Sequence, residues 1–261
     1  MRDQSPESFQ PVMTPRRHPP PDFVEEFSQS MPETYRIQYS EEEVRHHAGI
    51  VWRRKQHVAH VEQWPSGAKD ATWLCVVTDD RPGLLSLLCT ALTAHSLSIV
   101  SAKIHCRAAQ NEAVDFFCVR PLKSDGNVRL SENDLQGITS TIVALLQDQT
   151  DIKELERKSS PTSRPPARPE TSVYFDGERD GASLMVMESD DRLGLLTEVT
   201  RSLAELDVRI AWSDVVTIAG RARDEFLLTE ADGRPLGGKR QQAVVAKVVK
   251  ALSEFHLVTP E

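Results

Sequence analysis

The stretch VTDDRPGLLSLLCTALTAHSLSI at 77–99 returns as MESDDRLGLLTEVTRSLAELDVRI at 187–210. This repetition constrains the fold more than any other feature of the chain. In both copies an apolar run leads into Asp-Asp-Arg-x-Gly-Leu-Leu, then into a stretch of helical period, then into Ile. Arg81 stands as far from Ile99 as Arg192 stands from Ile210. Self-similarity on this scale is the mark of a duplicated structural unit.

Each copy decodes the same way. In the first, ATWLCVV is a continuous apolar strand, and Leu84, Leu85, Leu88, Ala91 and Leu92 line one face of a helix. LSIVSAKIHCR and AVDFFCVR are β-rich runs separated by the polar AAQNE, which reads as a hairpin. SDGN is a turn, Leu135, Ile138, Ile142, Leu145 and Leu146 line a second helix, and a short closing strand is expected near IKELER. In the second copy, SLMVM is the strand and Leu195, Leu196, Val199, Leu203 and Leu206 face the core. VRIAWSDVVTIAG and RDEFLLTE form the hairpin and ADGRP the turn. Val244, Val245, Val248, Val249 and Leu252 mark the last helix. The predicted order is βαββαβ, twice: an α+β chain of two ferredoxin-like modules, each an antiparallel four-stranded sheet with two helices on one face. One face of each sheet is expected to remain free, so its surface must be polar or paired.

Composition narrows the function. Net charge is −8 and the pI is near 5.6, which gives no electrostatic footprint for nucleic acid or an anionic membrane. No apolar run reaches the length of a membrane span and the first 34 residues lack a secretory signal, so a cytoplasmic protein is expected. Cys75, Cys89, Cys106 and Cys118 show no CxxC spacing and read as small core hydrophobes. Residues 1–34 carry seven prolines and read as a disordered tail. Residues 35–66 form a helical leading segment, capped by Ser40 with Glu43 and followed by a short strand near 56–63. Module 1 is expected at 67–158, a Pro/Ser-rich linker at 159–176 and module 2 at 177–261. Trp52, Trp64 and Trp73 would pack the leading segment on module 1.

The repeated turn has its own chemistry. Asp79 or Asp80 can cap the helix, Pro82 suits its first turn, and Gly83 permits close approach to the backbone. Free amides at the positive helix end suit a carboxylate, and neighbouring Asp side chains suit an ammonium. An α-amino acid carries both groups.

VTDDRPGLLSLLCTALTAHSLSIVSAKIHC followed by DFFCV resembles the ACT domain, a regulatory module that commonly binds amino acids. The pair is similar to the tandem ACT domains at the C-terminus of the bacterial PII uridylyltransferase/uridylyl-removing family, over roughly residues 30–258. The resemblance implies a ligand held between paired modules, the strand-to-helix turn of one meeting the second strand of the other. The positions carried over are Asp79, Asp80, Gly83, Leu84 and Leu85 with Ser98 and Ile99, and Asp190, Asp191, Gly194, Leu195 and Leu196 with Arg209 and Ile210. The Gly83 and Leu84 amides would bind carboxylate, and Asp79 or Asp190 the amine. Ser98 and Arg209 replace the Asn usual before Ile, and Leu193 replaces the Pro of the second turn, which favours the first module as binder.

The nucleotidyltransferase and metal-dependent phosphohydrolase motifs of that family are absent from the sequence, so it reads as non-catalytic, without cofactor or metal. His46 and His47 adjoin on a helix and His57 and His60 alternate on a strand, a poor tetrahedral set. The expected function, by resemblance, is an amino-acid sensor, with glutamine as the implied ligand, that reports to a protein partner in nitrogen or amino-acid regulation. The modules would pair within one chain or in a homodimer. The alternatives are a ligand-free interaction module and a regulatory subunit acting in trans.

Overall fold

The computed structural model describes residues 18–65, 71–122, 129–152, 154–155 and 171–254. Three helices lead: α1 (Pro21–Ser30), α2 (Glu33–Gln38) and α3 (Glu41–Arg54). The start of α3 is set by the capping box read from the sequence. The Glu43 N–H donates to Ser40 Oγ at 3.4 Å and the Ser40 N–H donates to the Glu43 carboxylate at 2.8 Å. Module 1 follows as β1 (Ala59–Pro65), β2 (Thr72–Asp79), α4 (Leu84–Ala94), β3 (Leu97–Arg107), β4 (Glu112–Pro121) and α5 (Glu132–Leu146). Module 2 is β5 (Ser172–Arg179), β6 (Ala182–Asp190), α6 (Leu195–Ala204), β7 (Arg209–Ile218), β8 (Arg221–Thr229) and α7 (Gly238–Glu254).

Each module is an antiparallel four-stranded sheet with two helices on one face, as expected. The chain lays the strands down in a different order, however. The edge position beside β2 is taken by β1, from Ala59↔Thr78 to Pro65↔Thr72, before the module's helices rather than after them. In module 2, β5 takes the same place beside β6. The order is therefore ββαββα. Near 152–157, where a closing strand is expected, the described residues Ile152, Glu154 and Leu155 are helical, because β1 already fills that edge. The turn SDGN and residues 156–170 lie outside the described residues. Residues 172–176, expected as linker, belong to β5, whose Val173 and Phe175 reach the core.

The two sheets are one. Strand order is β1-β2-β4-β3-β7-β8-β6-β5, every neighbour antiparallel, with β3 and β7 joined from Ser101↔Val216 to His105↔Trp212. Lys103 and Asp214, each 22 residues beyond its motif arginine, pair with one another, so a pseudo-twofold axis passes between them. Both strands carry a β-bulge at the same place, after Ile99 and after Ile210. On the helical side α4 packs beside α6, and one apolar core runs through both modules, from Ile138 and Leu88 to Val199 and Val248.

The opposite face of module 1, expected free, is covered. Phe27, Tyr35, Ala48 and Ile50 of α1–α3 bury themselves against Cys75, Val77, Val114 and Phe116. Part of the tail expected to be disordered thus forms a helix that caps the sheet, while residues 1–17 lie outside the described residues. Trp64 and Trp73 stack at 6.3 Å beside this cluster, and Trp52 lies edge-on to Phe23 at 4.9 Å. Arg54, buried, clamps the cap with donors to Asp79 at 2.5 Å and Glu112 at 2.9 Å. The same face of module 2 leaves Tyr174 and Ile218 in solvent, Ile218 at 72% exposure.

The cap is expected to be acid-sensitive. Burial holds His47 and His105 neutral, with their pKa values lowered from 6.5 to about 3. A lowered folded-state value contributes stability that is complete above pH 6.5 and lost as pH falls from 6.5 toward about 3. Acid titration followed by tryptophan fluorescence should therefore show unfolding with proton uptake in that window. His105 has both ring nitrogens unpartnered among the described residues, so His105→Phe should reduce the uptake by about one proton while keeping the fold at pH 7.

Candidate ligand site at the seam between modules

The repeated motif explains itself first as architecture. Arg81 Nη1 donates to the Leu146 carbonyl at 2.8 Å and Arg192 Nη2 to the Leu252 carbonyl at 3.1 Å, so each motif arginine caps the C-terminal turn of its module's last helix. The Asp80 N–H donates to the Asn111 carbonyl at 2.8 Å and the Asp191 N–H to the Gly220 carbonyl at 2.9 Å, tying each turn to its hairpin. The expected Asp caps are not used. The N-cap residues are Gly83 (φ 76°) and Gly194 (φ 82°), both left-handed, with no side-chain cap bond. Only glycine adopts that conformation without strain.

That turn leaves main-chain donors at each helix mouth. The Leu84 and Leu195 amides donate to Arg81 and Arg192 carbonyls at 3.1 Å, which removes Leu84 from the expected carboxylate-binding pair. The amides of Gly83, Leu85 and Ser86, and of Gly194, Leu196 and Thr197, have no backbone acceptor among the described residues. A buried helix start with unpaired N–H groups is unusual unless a ligand or water pairs them.

The seam brings each mouth to the other module. The first cavity, of about 50 Å³, lies between Asp80, Gly83, Leu84 and Leu85 on one side and Val208, Arg209 and Ile210 on the other. The second, of about 20 Å³, lies between Asp191, Gly194, Leu195 and Leu196 and the strand residues Ser98 and Ile99. The bulges that follow Ile99 and Ile210 set which side chains of these strand starts face the helices. Two predicted residues do not line either cavity. Asp79, 77% exposed at its side chain, is held by Arg54, and Asp190 pairs with Arg221 at 3.3 Å. Arg209 faces the first cavity and not that of the second turn, because the strand reaching each mouth comes from across the seam.

Sequence reasoning missed the acids behind these mouths. Asp115 on β4 and Asp224 on β8 occupy equivalent positions, each 1% exposed, each lining its cavity, each with an Oδ1 atom lacking a partner among the described residues. Burial, then the charge of Asp80, pushes the Asp115 carboxyl well above the usual range. Burial, then Asp191, raises Asp224 to about 8. Each heads a D-x-F run, Asp115-Phe116-Phe117 and Asp224-Glu225-Phe226, present in both copies but not in itself a sign of a site. Cys106 donates from Sγ to Asp80 Oδ2 at 3.3 Å, and burial pushes its thiol up to about 12, so it is a donor and not a nucleophile.

A larger groove of about 820 Å³ runs between α2–α3 and the sheet past Trp64 and Trp73. None of its described lining residues has a buried polar atom without a partner. Among the described residues no group of three His, Cys, Asp or Glu is placed to hold a metal ion, and no helix is long and apolar enough to cross a membrane. His47 Nδ1 bonds the Tyr35 hydroxyl at 2.8 Å and His60 bonds Glu62 at 2.7 Å.

The left-handed Gly83 faces α6 of the other module, where a Cβ would lie 3.5 Å from Ala204 Cβ. Gly83→Ala should cost about 1–2 kcal/mol through backbone strain. Thermal denaturation should show the lowered midpoint.

No protein-family model matches the chain. It is 25% identical over 200 residues to the bifunctional uridylyltransferase/uridylyl-removing enzyme of Rhodospirillum rubrum, covering 73% of this chain and 20% of that enzyme. With the Phenylobacterium zucineum enzyme of the same name it shares 27% over 238 residues, 88% of this chain and 25% of that one. A solved unknown protein from Galdieria sulphuraria aligns with 71% of this chain and 93% of its own at 20% identity, with a TM-score of 0.22. The chain thus spans a fifth to a quarter of the length of the curated relatives it matches. It is a tandem of two ferredoxin-like modules, similar in sequence to a small part of the bifunctional uridylyltransferase/uridylyl-removing enzymes.

Proposed function

We propose that the chain is a non-catalytic regulatory sensor in which the first seam cavity binds a small α-amino acid. The observation that carries this reading is the pairing of opposite needs across one cavity. The Gly83, Leu85 and Ser86 amides want an anion, and the buried Asp115 carboxyl behind them wants a donor. A carboxylate at the helix mouth and an ammonium toward Asp115 and Asp80 satisfy both at once. The cavity of about 50 Å³ holds roughly four waters, the size of such a head group. The second cavity is too small for this, so module 2 serves mainly as the wall of the first site.

Transmission follows from the contacts. A ligand touching both turn and seam stabilises one arrangement of the two modules, and by linkage shifts any association that depends on that arrangement. Asp79, next to Asp80, is held by Arg54 of the helical cap, which offers that surface to a protein partner. By resemblance the partner belongs to cytoplasmic nitrogen or amino-acid regulation, and resemblance alone names glutamine among the amino acids to be tested. The uridylyl transfer and removal named for the relatives are not assigned to this chain.

Calorimetric titration with the twenty amino acids should give one-site binding by at least one of them. Asp115→Asn, nearly isosteric and uncharged, should weaken binding tenfold or more without lowering the thermal midpoint. Affinity should rise with pH, because a protonated Asp115 offers no charge to an ammonium and ionises as pH rises. Absence of heat with every amino acid would refute the sensor and leave a scaffold.

A further inference from the structure

We propose that Arg209 makes the first cavity selective for a dicarboxylic α-amino acid, one whose side chain ends in a second carboxylate. This rests on the amino-acid reading above and names its substrate class. The helix mouth alone would not make a site. The second observation is Asp115, 1% exposed, which lines the cavity and whose Oδ1 has no partner among the described residues.

The enclosed volume takes the head group and little more, so the ligand's side chain must leave through the mouth. There the wall is the start of β7, and its cation is Arg209, exposed and lining the cavity. Arg209 forms no ion pair among the described residues, whereas its module's Arg221, Arg223 and Arg240 each pair with a carboxylate. No ion pair among the described residues joins it to Asp80, whose Oδ2 accepts from Cys106 Sγ at 3.3 Å. The pseudo-symmetric position at the second cavity is Ser98, short and uncharged. Arg120 acts there on Asp191 but does not line that cavity. An unpaired guanidinium at the exit of an amino-acid pocket is the complement of a carboxylate, which it can take bidentately.

The test is calorimetry on the full chain with glutamate and glutamine as probes, for the unaltered protein, Arg209→Ser and Arg209→Lys. Glutamate should bind tenfold or more tightly than glutamine, with a preference that shrinks as salt is added. Arg209→Ser, which copies the second cavity, should erase that preference and leave glutamine binding within about twofold. Arg209→Lys should keep part of it. Equal or tighter binding of glutamine by the unaltered chain, or a preference untouched in Arg209→Ser, would overturn the assignment of Arg209 and leave the sensor standing. Silence with both probes and with every other amino acid would overturn both.

Discussion

Everything in this molecule depends on the antiparallel seam between β3 and β7. Five residue pairs, from Ser101↔Val216 to His105↔Trp212, turn two four-stranded sheets into one of eight. The same seam brings α4 and α6 side by side and merges the two cores. The ion pair at its centre, Lys103 with Asp214 at 3.7 Å, is partly exposed and worth at most about 1 kcal/mol. Main-chain pairing and the shared apolar layer do the holding, and the charge pair adds little. Without the seam neither cavity exists, since each takes its turn from one module and its strand from the other.

The duplication is close to symmetric in backbone and unsymmetric in chemistry. Both turns use a left-handed glycine, both arginines cap a helix end, and both hairpins bury an aspartate. The departures are concentrated in what surrounds them. Three helices seal only the outer face of module 1, and Arg54 ties that cap to the turn of the larger cavity. Arg209 stands at one cavity mouth where Ser98 stands at the other. The two cavities are thus unequal in size and in the charge at their mouths.

How far the residues announced this can be traced element by element. The four module helices, the inner strands and the two turns were legible, because apolar period and the DDRxGLL repeat are local signals. The Ser40–Glu43 box marked the start of α3 directly. The edge strands were misplaced for a physical reason: a four-stranded sheet can be closed from either end of the chain, and pairing partners are not encoded locally. β5 hid in a segment read as linker, and α1 in a proline-rich tail whose apolar face has meaning only against Phe116 and Val114. Twelve of the fourteen expected positions line one of the two seam cavities. The assignments of Asp79 and Asp190 failed to reach the cavities because neighbouring arginines hold them, and Asp115 and Asp224 escaped because burial cannot be seen in a D-x-F run.

The most direct measurement of this account is amide hydrogen exchange along β3 and β7 in dilute solution, repeated over a wide range of protein concentration. An internal seam predicts that hydrogen-bonded amides within Ser101–His105 and Trp212–Val216 are protected as strongly as those of β2 and β8, at every concentration. Exchange of those amides at the rate of unpaired edge strands, or protection that appears only as concentration rises, would contradict it.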